Sequence, residues 1–188
     1  MDTRYGERMG NPLRRLALGA ARSRIGAGLV ASVLHRFPRV APGRRIILAE
    51  LVVLEHPSPM VPGHLLAVSR HGVSDVSATG SRAEDFWTAL GDWWDAEGAT
   101  LTGITNLGAR QEVRLLHVHL VPETSPPADI PPVQGETLAG AVAALCRTSP
   151  TGLRGVTASV FLSRTETGWQ AVLDRPNLTS SRQITNSS

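Results

Sequence analysis

The chain has 188 residues, of which 41% are hydrophobic, and a formal net charge of +3, values that predict one globular domain of ordinary size. Its single cysteine, Cys146, excludes an internal disulfide and a cysteine-based zinc ribbon, so we expect a cytoplasmic protein. All 19 basic residues are arginines, and they are concentrated before Ile46. Because the net charge is modest and few aromatic residues accompany these arginines, we expect no nucleic-acid partner.

The basic N-terminal arm is predicted to form a helix from Asn11 to Phe37. Asn11 suits the N-cap and Pro12 the first helical position, and apolar residues recur after them at helical spacing. The longest uncharged run, 25–34, is too short to span a bilayer. We expect this helix to dock on the protein's own core or on a second subunit. Peripheral contact with an anionic membrane surface is the alternative.

From Ile46 onward the pattern changes to short β-rich runs and one further helix. Five strands are predicted here, over 45–50, 51–56, 64–70, 100–106 and 112–122. The helix begins at Ser81, forms a capping box with Glu84 and ends at Gly98. Its aromatic residues share one face, which is expected to fill the core.

The last third of the chain opens with residues 122–135, which are too rich in proline for regular structure. A helix over 136–148 and a hairpin over 157–173, turning at the Thr167–Gly168 step, are predicted to follow. We therefore divide the chain into four segments: a basic helical arm (1–45), a core (46–122), a linker, helix and hairpin extension (123–178) and a loose tail (179–188).

Two histidines, His117 and His119, lie one residue apart in the apolar run GARQEVRLLHVHLVP. Side chains alternate between the faces of a strand, so both imidazoles project from the same face as Leu115. They could be two ligands of a metal ion, although zinc needs a third protein ligand and none is apparent nearby. They could also be structural, each bonded to a backbone carbonyl. The third interpretation is nucleophilic catalysis, in which a neutral imidazole attacks phosphorus and its neighbour stabilises charge.

Over roughly residues 46–122 the chain resembles the histidine triad (HIT) superfamily. Two motifs carry the resemblance, in the same order as in that superfamily: HPSPMVPGHLLAVSRH and NLGARQEVRLLHVHLVP. In that superfamily a His-φ-His-φ-His-φ-φ motif lies on a strand after a glutamine and an asparagine-bearing loop. The resemblance is closest to a bacterial subgroup with the pattern Q-D/E-V-x-x-L-H-φ-H-L. It implies an α+β fold, in which an antiparallel sheet with a packed helix carries an N-terminal helix and a C-terminal helix and hairpin.

The resemblance also implies roles for individual residues. His117 corresponds to the middle histidine, which in active members attacks phosphorus and forms a nucleotidyl-histidine, and His119 corresponds to the third, which contacts phosphate oxygens. Leu115 stands where the first histidine is usual, so one hydrogen-bonding group beside the nucleophile is missing. Asn106 and Gln111 correspond to polar residues that hold negative charge on the phosphoryl oxygens.

Four further positions depart from the family pattern or support the site. Arg110, in the loop that begins at Gly108, stands where glycine is common, and it is expected either to bind a second phosphate or to point to solvent. His56 stands where an acidic or amide residue binds the ribose hydroxyls, so nucleoside recognition is expected to be weakened or changed. His64 corresponds to a residue that supports the site from behind. The family's covalent chemistry needs no metal and no other cofactor.

The implied function is hydrolysis or transfer at a phosphoanhydride, phosphoramidate or related bond through a histidine nucleophile. The partners would be a small phosphate or nucleotide substrate and a second copy of the chain in a homodimer. Two alternatives stay open. One is a nucleotide- or phosphate-binding module without hydrolysis, and the other is a HIT scaffold that performs acid/base chemistry on a non-nucleotide metabolite in a biosynthetic pathway.

Overall fold

The computed structural model describes residues 24–37, 43–56, 59–78, 80–97, 100–111, 113–122, 124–148, 153 and 156–175. The predicted helix start at Asn11, the helix stop at Gly98 and the tail lie outside these ranges. In chain order the elements are α1 (Arg24–Arg36), β1 (Arg44–Ile47), β2 (Leu51–Glu55), β3 (Leu65–Ser69), α2 (Ser81–Glu97), β4 (Leu101–Leu107), a 3₁₀ turn (Gly108–Arg110), β5 (His117–Pro122), β6 (Val133–Gly135), α3 (Leu138–Thr148), β7 (Ala158–Thr165) and β8 (Gly168–Asp174).

The strands form one sheet in the order β1-β2-β3-β5-β4-β7-β8-β6. The seven strand pairs among the described residues are all antiparallel. The predicted α+β class, an antiparallel sheet with packed helices, is therefore confirmed. The C-terminal hairpin continues this sheet, because β7 pairs with β4 along six residues from Thr102 to Leu107.

One face of the sheet carries the main hydrophobic core. Val118 and Leu120 of β5 belong to the same buried cluster as Phe86 and Trp94 of α2, as the aromatic face of this helix predicted. α2 approaches the sheet closely at Gly103, where an added Cβ would lie 3.1 Å from the Trp94 ring. The indole fills the space that a side chain on β4 would otherwise occupy.

The opposite face is partly covered by α1. Ala31 of this helix packs in a second buried cluster with Leu66, Val68 and Leu115. Arg70 fixes the end of the helix, because its guanidinium donates to the carbonyl of His35 at 2.7 Å as well as to carbonyls of the β1–β2 turn. Docking of α1 on the protein's own core is thus observed. Within the described ranges, no helix is long and apolar enough to cross a membrane.

Two predicted element boundaries in the middle of the chain were wrong. β5 begins at His117 and not at residue 112, because the Leu116 N–H bonds to the Val73 carbonyl of a loop at 2.7 Å. The proline-rich segment ends in a short strand, Val133–Gly135, which follows the last proline and pairs with β8. Strand pairing here depends on partners that are distant in sequence.

The N-cap of α2 and the β7–β8 turn each differ from the prediction by one residue. Ser81 is the first helical residue of α2, and the carbonyl of Gly80 accepts the N–H groups of Ala83 and Glu84, so Gly80 is the N-cap. The β7–β8 hairpin pairs Thr165 with Gly168, which places the turn one residue earlier than the Thr167–Gly168 step.

Candidate active site

The register of three neighbouring strands brings three histidines together. His119 of β5 is paired with Leu66 of β3, and His64 lies two residues before Leu66, on the same face. Leu66 is in turn paired with Leu54 of β2, and His56 lies two residues beyond it. Side chains from three separate parts of the chain therefore project from one face of the sheet.

These three rings and that of His117 form a compact cluster. His64 Nε2 lies 3.2 Å from His119 Nδ1. The rings of His56 and His64 are stacked, with centroids 4.1 Å apart and planes inclined by 4°. The ring of His117 meets that of His119 edge to face at 5.3 Å. The structure thus places the predicted nucleophile, its neighbour and both upstream histidines in one site.

The orientation of His117 is set by the backbone just before its strand. Its Nδ1 lies 2.7 Å from the carbonyl oxygen of Leu115. A carbonyl only accepts, so Nδ1 carries the ring proton and donates it, and the lone pair of the neutral ring is on Nε2. His117 is 8% exposed, which holds the ring in place.

A chain of hydrogen bonds orients the other two central rings. The backbone N–H of Met60 donates to His64 Nδ1 at 3.3 Å. Neutral His64 then carries its proton on Nε2 and donates it to His119 Nδ1. His119 is left with its own proton on Nε2, as a donor. The predicted supporting role of His64 has a physical basis in this bond.

Burial keeps both of these imidazoles neutral. Desolvation, with a further effect of His56, lowers the pKa of His64 to about 4. Desolvation, followed by the effects of His117, His56 and His64, lowers the pKa of His119 to about 3. At pH 7 His64 and His119 therefore offer neutral nitrogen donors and acceptors.

Asn106 lies on the histidine face of the sheet. Ile104 is paired with His119, and Asn106 is two residues further along β4. The Asn106 Oδ1 accepts a hydrogen bond from the Ser159 hydroxyl at 2.8 Å. Because the oxygen is held in this way, the amide N–H₂ group is the part of Asn106 suited to an anionic oxygen.

Arg110 lies against the C-terminal hairpin. Its guanidinium donates to the Ser159 hydroxyl at 2.9 Å and forms an ion pair with Asp174 at 3.3 Å. Asp174 closes β8, 64 residues away in the sequence. The carboxylate at the end of the hairpin accounts for the orientation of this arginine.

Gln111 and Gly108 have structural contacts that the motif did not reveal. The Gln111 amide donates to the Ser74 carbonyl at 2.6 Å, which ties the end of the 3₁₀ turn to a neighbouring loop. Gly108 has a φ of +60°, and a Cβ there would lie 2.6 Å from the Val156 carbonyl oxygen. Its place in the sequence is explained by close backbone packing.

The sequence places His56 and His64 in the site but does not identify them as possible metal ligands beside His119. The His-x-His motif pairs His117 with His119 as possible ligands, whereas ring nitrogens of His56, His64 and His119 lie within 4.8 Å of one another. The available signal was the spacing of His56 and His64 across the β2–β3 turn, where the His56 N–H bonds to the His64 carbonyl at 3.0 Å. Residues at the two ends of such a turn are neighbours in space.

No protein-family model matches the sequence, and no curated protein is similar to it. The fold is similar to that of a HIT family hydrolase from Clostridium thermocellum, with 18% identity and a TM-score of 0.42 over 53% of this chain and 95% of that one. Yeast Ap4A phosphorylase, in complex with Ap4A and with AMP, shows 16% and 19% identity and a TM-score of 0.43. This chain spans 57% and 64% of those two chains. Each of these structures is similar to part of this chain, and the superfamily likeness rests on the two sequence motifs alone.

Proposed function

We propose that the protein hydrolyses or transfers a phosphate-containing group through a covalent intermediate on His117. The observation that carries this proposal is the 2.7 Å bond from His117 Nδ1 to the Leu115 carbonyl. It keeps the proton on Nδ1, so the lone pair of the neutral ring is on Nε2, as a nucleophilic imidazole requires. The motif resemblance supplies the substrate class, a nucleotide or another small phosphate compound.

The reaction has two displacement steps at phosphorus. In the first, the Nε2 lone pair of His117 forms a bond to phosphorus while the bond from phosphorus to the leaving oxygen or nitrogen breaks, and the leaving group takes up a proton from solvent. In the second, a water or acceptor hydroxyl attacks phosphorus and loses its proton to solvent. The P–N bond breaks, and His117 returns to its neutral form.

Two neighbours are suited to the phosphoryl oxygens. His119 carries its proton on Nε2 because its Nδ1 accepts from His64, and the amide N–H₂ of Asn106 is available because its oxygen is bound by Ser159. Fixed donors of this kind stabilise charge that develops in the transition state. We assign Arg110 no such role, because its guanidinium is paired with Asp174.

Nucleoside selectivity is expected to be low. His56 occupies the position that the resemblance assigns to ribose recognition, but its ring is stacked on His64 at 4.1 Å. Stacking covers one face of the His56 ring, and its imidazole offers a sugar hydroxyl fewer acceptors than a carboxylate would. The substrate panel must therefore contain phosphate compounds without a nucleoside.

Intact-protein mass spectrometry after brief incubation with nucleotides, phosphoramidates and non-nucleotide phosphate esters, quenched at alkaline pH, tests the proposal. The wild type is expected to gain the mass of the transferred group, and His117→Ala to gain none. His71→Gln is the matched control, because His71 is paired with Glu50 outside the cluster. For His119→Gln we expect turnover to fall by roughly 10²-fold.

Unchanged turnover in His117→Ala would refute the proposal. Tight binding without any adduct would favour the alternative of a binding module. The homodimer, the cytoplasmic location and peripheral membrane contact through the N-terminal helix stay predictions from the sequence.

A further inference from the structure

The imidazoles of His56, His64 and His119 lie in a geometry that suits a metal ion, on the same face as His117. One ring nitrogen of each lies within 4.8 Å of the other two. We propose that these three side chains bind one Zn²⁺ or a similar late first-row transition-metal ion. The inference goes beyond the proposed function and does not depend on it.

The distances support a tetrahedral centre. Zinc binds imidazole nitrogen at about 2.0–2.1 Å, so two ligand nitrogens of a tetrahedral site lie about 3.3 Å apart. The 3.2 Å separation of His64 Nε2 and His119 Nδ1 already has this value. The other two nitrogen–nitrogen separations are at most 4.8 Å. Rotation of the His56 side chain, which follows the last residue of β2, would shorten them to the value of a tetrahedral site.

The ligand set defines the class of metal. Three neutral imidazoles favour zinc, copper, nickel and cobalt, whereas calcium and magnesium require oxygen ligands. No carboxylate belongs to this group of three among the residues that the structure describes. Three protein ligands leave the fourth tetrahedral position to water or to an oxygen of a bound anion.

Metal binding requires a change of tautomer at His64 and releases no proton. Without metal, His64 Nε2 donates to His119 Nδ1, and these are the two nitrogens that would bind the ion. The His64 proton therefore has to move to Nδ1, and the Met60 N–H, which is 3.3 Å from that atom, loses its acceptor. Met60 is 70% exposed, so water can replace this long hydrogen bond. His119 retains its proton on Nε2.

Titration of the tag-free full chain, stripped with a chelator, tests the inference with Co²⁺ and Zn²⁺ as probes. We expect one Co²⁺ per chain with the intense visible absorption of tetrahedral cobalt, and its displacement by Zn²⁺ in calorimetry. His56→Gln and His64→Gln should each weaken binding at least about tenfold. His71→Gln, which removes a histidine outside the group, and His117→Ala should bind as the wild type does.

Histidine-ring NMR of the wild type gives a second readout that requires no variant. Zinc is expected to move the His64 proton from Nε2 to Nδ1. The inference is overturned if the wild type binds no ion at a ratio of one per chain, if both glutamine variants retain its affinity, or if the His64 proton stays on Nε2. If the chelator-treated wild type forms the covalent adduct but binds no metal, the metal inference fails and the proposed function is retained.

Discussion

Leu115 departs from the family motif in its side chain, but its backbone carbonyl contacts a histidine of the site. Its side chain is 1% exposed and packs with Ala31, Leu66 and Val68 beneath α1. Its carbonyl accepts the proton of His117 Nδ1. The side chain that stands in place of a family histidine is therefore part of the core, and the tautomer of His117 is independent of which side chain is present at position 115.

Gly108→Ala is expected to destabilise the fold more than an ordinary left-handed glycine would. Its φ is +60°, and the added Cβ would meet the Val156 carbonyl oxygen at 2.6 Å. Strain from the positive φ costs roughly 1–2 kcal/mol, and overpacking adds roughly 1–3 kcal/mol. Urea denaturation of the variant measures the sum.

Gly72→Ala separates these two effects. Gly72 has a similar φ of +69°, but the Cβ would lie at an ordinary 3.9 Å from Ala31. We expect the strain cost of roughly 1–2 kcal/mol alone. Equal losses of stability in the two variants would show that the clash at Gly108 relaxes without cost.

The histidines of the site could be predicted from the sequence, but the partners of its other residues could not. Alternation along a strand places His117 and His119 on one face without any knowledge of the fold. The orientations of Arg110 and Gln111 depend on Asp174 and on the Ser74 carbonyl, which reach them only through tertiary structure. A local pattern contains no information on such partners.

At the scale of elements, strand identity was predictable and strand boundaries were not. Apolar runs and turn residues located β2 and β3 to within one residue at each end. β5 started five residues later than expected because the loop carbonyl of Val73 takes the N–H of Leu116. Propensity identifies a segment that can be a strand, whereas hydrogen-bond partners decide where pairing begins.

Gly103→Ala tests the contact between α2 and β4. Alanine in place of glycine within a strand ordinarily stabilises by roughly 0.5–1 kcal/mol. Here the Cβ would lie 3.1 Å from Trp94 ring atoms and from Val118, so we expect a loss of roughly 1–3 kcal/mol in the free energy of unfolding. Thermal and urea unfolding both report it.

A double-mutant cycle with Trp94→Phe assigns the cause. The smaller ring leaves room for the new methyl group, so Gly103→Ala should cost less in the Trp94→Phe background than in the wild type. Additive effects would mean that the indole is not what excludes a side chain from residue 103.

At the scale of the whole molecule, the sheet separates two layers of different composition. α2 and α3 cover one face with most of the buried hydrophobic residues, and α1 covers part of the other, next to the histidines. Leu29 of α1 and Phe37, which follows its last residue, are 63% and 56% exposed. These exposed apolar side chains are where the predicted second subunit or membrane surface would bind.

Arg70→Ala is expected to loosen α1 while leaving the main core intact. The guanidinium joins the His35 carbonyl at the end of α1 to carbonyls of the β1–β2 turn. Hydrogen bonds to a charged group contribute roughly 1.5–3 kcal/mol, and these are partly exposed, so we expect a loss of about 1–2 kcal/mol. Amide hydrogen exchange should accelerate in 24–37 and stay slow in α2.

Arg45→Ala is the control for charge removal. Arg45 forms an ion pair with Glu55 in which both side chains are about half exposed, and such pairs contribute less than roughly 1 kcal/mol. Exchange in 24–37 should match the wild type. If α1 exchanges equally fast in both arginine variants, Arg70 is not what holds it.

The alternation of β5 has a consequence for how such a protein can change over generations. Its even-numbered residues Val118 and Leu120 are fully buried on the core side, while His117 and His119 face the other side. Descendants can exchange an imidazole without disturbing the packing beneath α2, and vary the packing without disturbing an imidazole. A change of reaction at these two positions therefore requires no matching change in the packing beneath α2.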